Sequence, residues 1–167
     1  MTNFFNRIVQ AAKLDAHLYE EVKKNPDFLQ QSMLVVILVS IASGIGMGAG
    51  RMLGGIVAAL FGWFLWSYVT YFIGTKLLAE EKTDANFEQL LRAVGFAWSP
   101  GLLLILGIFP FLRGLLFLVT QIWAFAAMVV AVRQVLSYQS TGRSVMVCLF
   151  GWILYIIVMG LFAVGTT

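Results

Sequence analysis

The sequence predicts an all-α membrane protein, five transmembrane helices preceded by a short amphipathic helical segment. Three observations carry that reading. Hydrophobic residues make up 60% of the 167 and charged residues 11%, where globular chains carry roughly 25% charged. Apolar stretches of about 20 residues, enough at ~1.5 Å per residue to cross a ~30 Å hydrocarbon core, recur along the chain. Lys and Arg rise and fall from one connection to the next in step with five crossings.

Residues 1–27 form the leading segment. Within NFFNRIVQAAKLDAHLYEEVKK, residues 3–24, Phe4, Phe5, Ile8, Val9 and Ala12 fall at helical spacing, and Leu18, Tyr19 and Val22 follow an N-cap at Asp15. Two short amphipathic helices result, and two placements suit them: flat on the membrane surface, or folded as a lid on the bundle. Asn25-Pro26 stops the second, because proline has no N–H and pushes the preceding residue out of helical geometry. The first strongly apolar run begins only near Met33 and no small-residue cleavage site follows, so no removable signal peptide is expected.

Residues 28–167 form the transmembrane domain, with spans at about 31–49, 53–78, 87–109, 114–136 and 144–164. Arg7, Lys13, Lys23 and Lys24 precede the first span and Arg51 alone follows it. Then come Lys76, Lys82 and Arg92, Arg113 alone, the pair Arg133 and Arg143, and no basic residue in the tail. This alternation places the N-terminus in the cytoplasm and the C-terminus outside, in the cytoplasmic membrane. The glycine-rich SGIGMGAGRMLGG, residues 43–55, lacks the preceding strand and following acidic residue of a dinucleotide loop. It reads as a tight hairpin packed through Gly44/Gly48 and Gly46/Gly50.

The third span opens on DANFEQLLR, residues 84–92, with Asn86 and Gln89 in a capping box and Glu88 and Arg92 one turn apart. That part is expected to run along the interface, leaving the apolar part to start at Ala93. GFAWSPGLLLILGIFP, residues 95–110, then places Pro100 near the middle of a short span, where an unsatisfied backbone group costs several kcal/mol. We read a kinked packing element: Gly95, Gly101 and Gly107 admit close neighbours, the Ser99 hydroxyl meets a freed carbonyl, and Pro110 with Arg113 marks the turn.

Every acidic residue lies in the leading segment or before span three, whereas proton-coupled carriers and ion pumps keep an ionisable group at depth. The only histidine, His17, lies outside the membrane, so no Ser/His dyad can form within it. The single Cys148 has no basic neighbour to activate it, and one cysteine makes neither an intramolecular disulfide nor a CxxC site. No catalytic, cofactor or metal site is expected, and the protein reads as not an enzyme. A net charge of +3, with no basic run longer than Lys23-Lys24, leaves no nucleic-acid partner.

What lies at depth is polar but uncharged: Trp63, Trp66, Ser67 and Thr70 in span two, Trp98, Ser99 and Pro100 in span three, Gln121 and Trp123 in span four. Trp63, Trp66 and Trp123 fall roughly 15 Å from the nearest span end, although tryptophans collect at interfaces. Their indole N–H groups want partners, which the hydroxyls and the Gln121 amide can supply. Such a cluster is either a small midplane pocket or hydrogen-bonding between helices. A second candidate is an interaction surface on Phe4, Phe5, Ile8, Leu18 and Tyr19 of the leading segment and Glu88 and Arg92 of the later connection.

The run from Phe4 to Gly46 and the run from Phe87 to Leu136 resemble the Yip1 domain family of small five-helix membrane proteins. The matching features are Asn25-Pro26-Asp27, FEQLLRAVGFA at 87–97, the central proline, the second proline before a glycine, Ile122-Trp123, and AVRQVL at the end of span four. The compact form is similar to the prokaryotic branch. The D-L-Y-G-P-type preamble of eukaryotic relatives that bind Rab-type GTPases is missing, so the resemblance does not imply that binding, and it supplies no catalytic residue. The expected role is a non-enzymatic protein-interaction or membrane-organising component, in contact with membrane lipid and with a protein partner or second copy. The alternative is a channel, small-solute permease or lipid-moving protein built on the Pro100-interrupted helix.

Overall fold

Long apolar runs away from water can satisfy their backbone polar groups only within the segment itself, which makes them helices. A computed structural model describes residues 3–47, 52–81 and 83–165 and has no strand among them. The leading segment forms α1 (Phe4–Ala12) and α2 (Ala16–Lys24), joined by a tight turn in which Leu14 takes a left-handed φ of 63°. The Asp15 carboxylate caps α2 by accepting from the His17 N–H at 3.0 Å.

Then follow α3 (Phe28–Met47), α4 (Met52–Phe72, continued by a π turn at Ile73–Leu77) and α5 (Phe87–Ala97, continued by a 3₁₀ helix at Ser99–Ile108). A 3₁₀ turn, Pro110–Leu112, leads into α6 (Arg113–Val135), and α7 (Thr141–Gly165) completes the bundle. Four stretches, Phe28–Met47, Gly54–Leu77, Phe87–Ile108 and Pro110–Val135, are long and apolar enough to cross a membrane, and α7 adds the shorter apolar stretch Thr141–Ile157.

Phe87–Ile108 is the central element: 67% of its apolar window is buried, against 33–39% for the other three. The expected stretch along the interface is therefore corrected. Residues 90–97 are buried on every side, because α2, α3, α4 and α6 surround α5. Its start is as the sequence indicated, with Asn86 Oδ1 accepting from the Gln89 N–H and Gln89 Oε1 from the Asn86 N–H, both at 2.9 Å.

Pro100 does not kink an α-helix; it begins a 3₁₀ helix ten residues long, where runs beyond three or four are uncommon. At the second position of the new helix its missing N–H is not needed, and the Gly101 N–H returns to the Trp98 carbonyl at 2.9 Å. The Ser99 hydroxyl, expected to meet a freed carbonyl, has no partner. The change of helix type also settles how a short apolar stretch crosses: at ~1.5 Å per α residue and ~2.0 Å per 3₁₀ residue, residues 93–108 span about 29 Å instead of about 24 Å.

The extended segment is held against α3. A Cβ on Gly95 would lie 2.6 Å from that of Ser32, and one on Gly107 2.8 Å from the Gly46 carbonyl oxygen, while Gly46 itself abuts the Leu104 carbonyl. The two backbones touch there, as small residues permit. Among the described residues nothing lies within 4 Å of a Cβ placed on Gly44; Gly48 and Gly50, the expected partners of Gly44 and Gly46, lie outside the described residues. At the far end the Arg113 Nε–H donates to the Gly107 carbonyl at 2.9 Å, placing a cation on the 3₁₀ C-terminus.

At the end where α3, α5 and α7 begin, polar ties join the connections. Glu80 pairs with Arg143 at 3.5 Å and accepts from the Gln139 N–H at 3.0 Å, and the Tyr138 hydroxyl donates to the Gly74 and Leu78 carbonyls at 2.6 and 2.9 Å. The outward faces carry large exposed apolar side chains, among them Phe61, Phe64, Leu115, Leu118, Phe150 and Ile153. A belt of that extent is suited to lipid.

Candidate functional site

The deep indoles separate into two kinds. The Trp63 Nε1–H donates to the Leu91 carbonyl at 2.9 Å and the Trp123 Nε1–H to the Ala12 carbonyl at 2.6 Å. Trp66 and Trp98 also have buried indole N–H groups, and these have no partner. The hydroxyls do not serve the indoles as expected: Ser67 bonds the Trp63 carbonyl at 2.7 Å and Thr120 the Leu116 carbonyl at 2.7 Å. A helical Ser or Thr reaches the carbonyl one turn back more easily than a group on another helix. The Gln121 amide is on an exposed residue.

Trp66 and Trp98 meet at a cavity of about 480 Å³ lined from all five long helices, within the range of small-molecule sites. Val36, Ser40, Ser43 and Gly44 come from α3, Ala59 and Trp66 from α4, and Trp98, Gly101 and Leu104 from the central element. Phe117, Thr120, Gln121 and Met128 of α6 and Trp152, Tyr155 and Ile156 of α7 close the ring. Among the described residues, no charged side chain lines it. Trp66 stands edge-on to Tyr155, ring centroids 5.6 Å apart.

Of the nine residues expected to cluster at depth, Trp66, Trp98 and Gln121 therefore share one cavity. Trp63, Ser67 and Thr70 are buried on α4 beside it, Ser99 and Pro100 mark the change to 3₁₀, and Trp123 belongs to the hairpin contact. Ser40, Ser43 and Tyr155 were missed. The signal for the first two was Ser40, Ser43 and Gly44 on one face of a helix apolar all round.

The expected interaction surface is also divided. Ile8, Leu18 and Tyr19 are 7%, 2% and 0% exposed and Arg92 is 3% exposed, so these four belong to the interior. They pack because α1 and α2 form a lid on the bundle, burying one apolar face of each helix against α5 and α6. Phe4 is half-buried, and Phe5 and Glu88 are exposed. The Arg92 Nε–H donates to the Val22 carbonyl and Nη2–H to the Lys23 carbonyl, both at 3.1 Å, capping the last turn of α2. Glu88 stands 3.9 Å from the same guanidinium. Arg7 ties α1 to α3 through Gln31 at 2.9 Å and lies over the Phe28 ring. Lys23 reaches the Ser137 hydroxyl at 2.8 Å, and burial lowers its pKa more than Asp84 and Glu20 raise it.

These contacts fix the hairpin's depth. Ala12 sits at the level of Trp123, ten residues or about 15 Å from the start of α6. The hairpin thus reaches half-way along α6 and covers it, while residues 114–122 are mostly exposed.

The model of the Yip1 domain matches residues 16–162. The chain belongs to the Yip1 domain family. No curated protein and no solved structure matches it. Within this Yip1 domain the match begins at α2, takes in Arg92 and every cavity-lining residue, and leaves α1 outside. It is a multi-pass membrane protein.

Proposed function

We propose that this Yip1-family protein is a non-catalytic membrane-organising component of the cytoplasmic membrane. Its five spans run with the N-terminus inside, and the α1–α2 hairpin widens the cytoplasmic half of the molecule. The Trp123–Ala12 hydrogen bond carries the proposal, because it holds the hairpin's turn at mid-length of α6. Phe5 and Val9, 68% and 49% exposed on the face of α1 away from the bundle, suit contact with acyl chains. With helices ~10–12 Å across, seven cross-sections in one leaflet against five in the other add roughly 200 Å² on the cytoplasmic side. The alternation of basic residues supports the orientation and the fifth crossing. Exposed Glu88 is where a protein partner or second copy would meet it.

The test is to reconstitute the full chain into mixed vesicles and measure its density on small and large ones. Enrichment on small vesicles, reduced in a variant lacking residues 3–15, is the expected result; equal density on both ends the proposal. The cavity beside the 3₁₀ helix favours a second reading, a lipid-moving protein. Lipid scrambling in liposomes that falls with Pro100→Leu or Gln121→Leu would support it, and no scrambling under any condition removes it.

A further inference from the structure

We propose that the central cavity holds one acyl chain of a membrane lipid, which enters from the bilayer between α6 and α7. The short connection from Val135 to Thr141 holds the near ends of these helices together. Along that half Met128, Val132 and Val135 of α6 and Ser144, Val147 and Cys148 of α7 are buried. Further from the turn the seam changes. Phe117 and Gln121 of α6 and Trp152 and Ile156 of α7 line the cavity and are also exposed. Between these four side chains the cavity reaches the apolar outer belt.

The depth of that opening identifies the occupant. Helices joined by so short a turn run antiparallel. At ~1.5 Å per residue, Phe117 and Gln121 lie about 6 and 12 Å from the start of α6 at Arg113, and Ile156 and Trp152 about 22 and 16 Å from the start of α7 at Thr141. Across a ~30 Å hydrocarbon core, Phe117 is thus level with Ile156 and Gln121 with Trp152, within the acyl region of one leaflet. At that level a bilayer presents acyl chains, its headgroups and water lying beyond. The walls suit such an occupant. The Trp66 and Trp98 rings line the space while their N–H groups are closed off from it, so both offer it carbon. The Thr120 hydroxyl is spent on the Leu116 and Phe117 carbonyls at 2.7 and 3.0 Å. Most of the lining surface is apolar, with the Ser40, Ser43 and Tyr155 hydroxyls and the Gln121 amide among its polar part. A chain filling the space gains dispersion contacts with side chains that otherwise face a void. The site requires only that the protein is embedded in a bilayer, and it stands whether or not the hairpin alters curvature.

The experiment uses the full-length protein in phosphatidylcholine nanodiscs doped with a phosphatidylcholine that carries a diazirine midway along one acyl chain. After photolysis, peptide mass spectrometry maps the labelled residues. Label is expected on the inner wall, at the half-buried Ser40, Ser43 or Trp98, as well as on belt residues such as Leu118 and Ile153. Ala124→Leu, which extends a side chain into the cavity from α6, should lower inner-wall label by about fivefold or more and leave belt label unchanged. Label confined to the belt in the natural chain overturns the proposal whether or not the variant folds. So does inner-wall label undiminished by Ala124→Leu, or inner-wall label from a phosphatidylcholine with the diazirine on its headgroup that equals label from the acyl probe.

Discussion

Arg92→Leu should release α2 from the bundle while leaving the bundle assembled. The guanidinium is buried and donates two hydrogen bonds, at 3.1 Å each, to the carbonyls of Val22 and Lys23 in the last turn of α2. Those carbonyls have no partner further along a helix that ends at Lys24, and they carry the negative end of its dipole. Hydrogen bonds to a charged group contribute roughly 1.5–3 kcal/mol each, and removing the arginine also removes the cost of burying its charge, so a net loss of about 2–4 kcal/mol is expected. The opening equilibrium of α2 then shifts by about 30- to 700-fold. Hydrogen–deuterium exchange of the protein in nanodiscs reads this shift directly. Peptides covering residues 16–24 should exchange faster by that factor, while those from the middle of α6 change little. Glu88→Gln is the control: Glu88 is 3.9 Å from the guanidinium and its side chain is 70% exposed, so its loss should shift exchange by under tenfold. Unchanged exchange in α2 after Arg92→Leu, or an equal effect from Glu88→Gln, would refute the view that Arg92 holds the hairpin through backbone carbonyls.

The two kinds of deep indole should respond differently to loss of the N–H. Trp123→Phe leaves the Ala12 carbonyl without its donor and should cost about 1–3 kcal/mol; Trp98→Phe removes an unpartnered donor and should be neutral or stabilising in delipidated protein, both read by SDS titration. The same titration should separate two glycines of α3. Gly46→Ala, which drives a methyl into the Leu104 carbonyl, should lose about 1–3 kcal/mol or more, whereas Gly44→Ala meets nothing within 4 Å and should be neutral or gain up to about 1 kcal/mol. At high pH the Tyr138 clamp should fail. Burial, then Glu80, pushes its phenol from 10.0 up to about 12 against the opposing Arg143, so its stabilising effect is complete below pH 10.0 and is lost as pH rises through about 12. Absorbance titration should show late tyrosine ionisation that returns to ordinary behaviour in the unfolded protein, and a Tyr138→Phe variant should lose the component near pH 12.

Much of the helical framework was legible in the sequence because its causes are local. Apolar runs of bilayer length, Asp15 as a cap, Asn86 with Gln89 as a capping box, and Asn25-Pro26 as a stop act over a few residues, and each is present in the structure. The uncharged character of the cavity was legible too, since no acidic or basic residue stands at depth between the helix ends. The partners were not. Trp123 finds its acceptor 111 residues away and Arg92 its acceptors 69 and 70 away, and helical periodicity carries no information about which helix faces which. The sequence left the leading segment two placements of equal merit, and tertiary packing chose the docked one by burying Ile8, Leu18 and Tyr19.

A helical membrane protein with a proline-interrupted central helix and no acidic or basic residue midway along its spans follows from the residues alone, because composition and the chemistry of proline act wherever the chain lies. What the interruption becomes depends on packing between helices. With the α3 backbone abutting at Gly46, Gly101 pressed on Val39 and Arg113 closing the far end, residues 99–108 draw out into a 3₁₀ helix long enough to cross. The same packing satisfies two deep indoles with backbone carbonyls, Leu91 within α5 and Ala12 at the end of α1, and leaves two others unpartnered, a division set by distances between helices and invisible in the order of residues along any one of them.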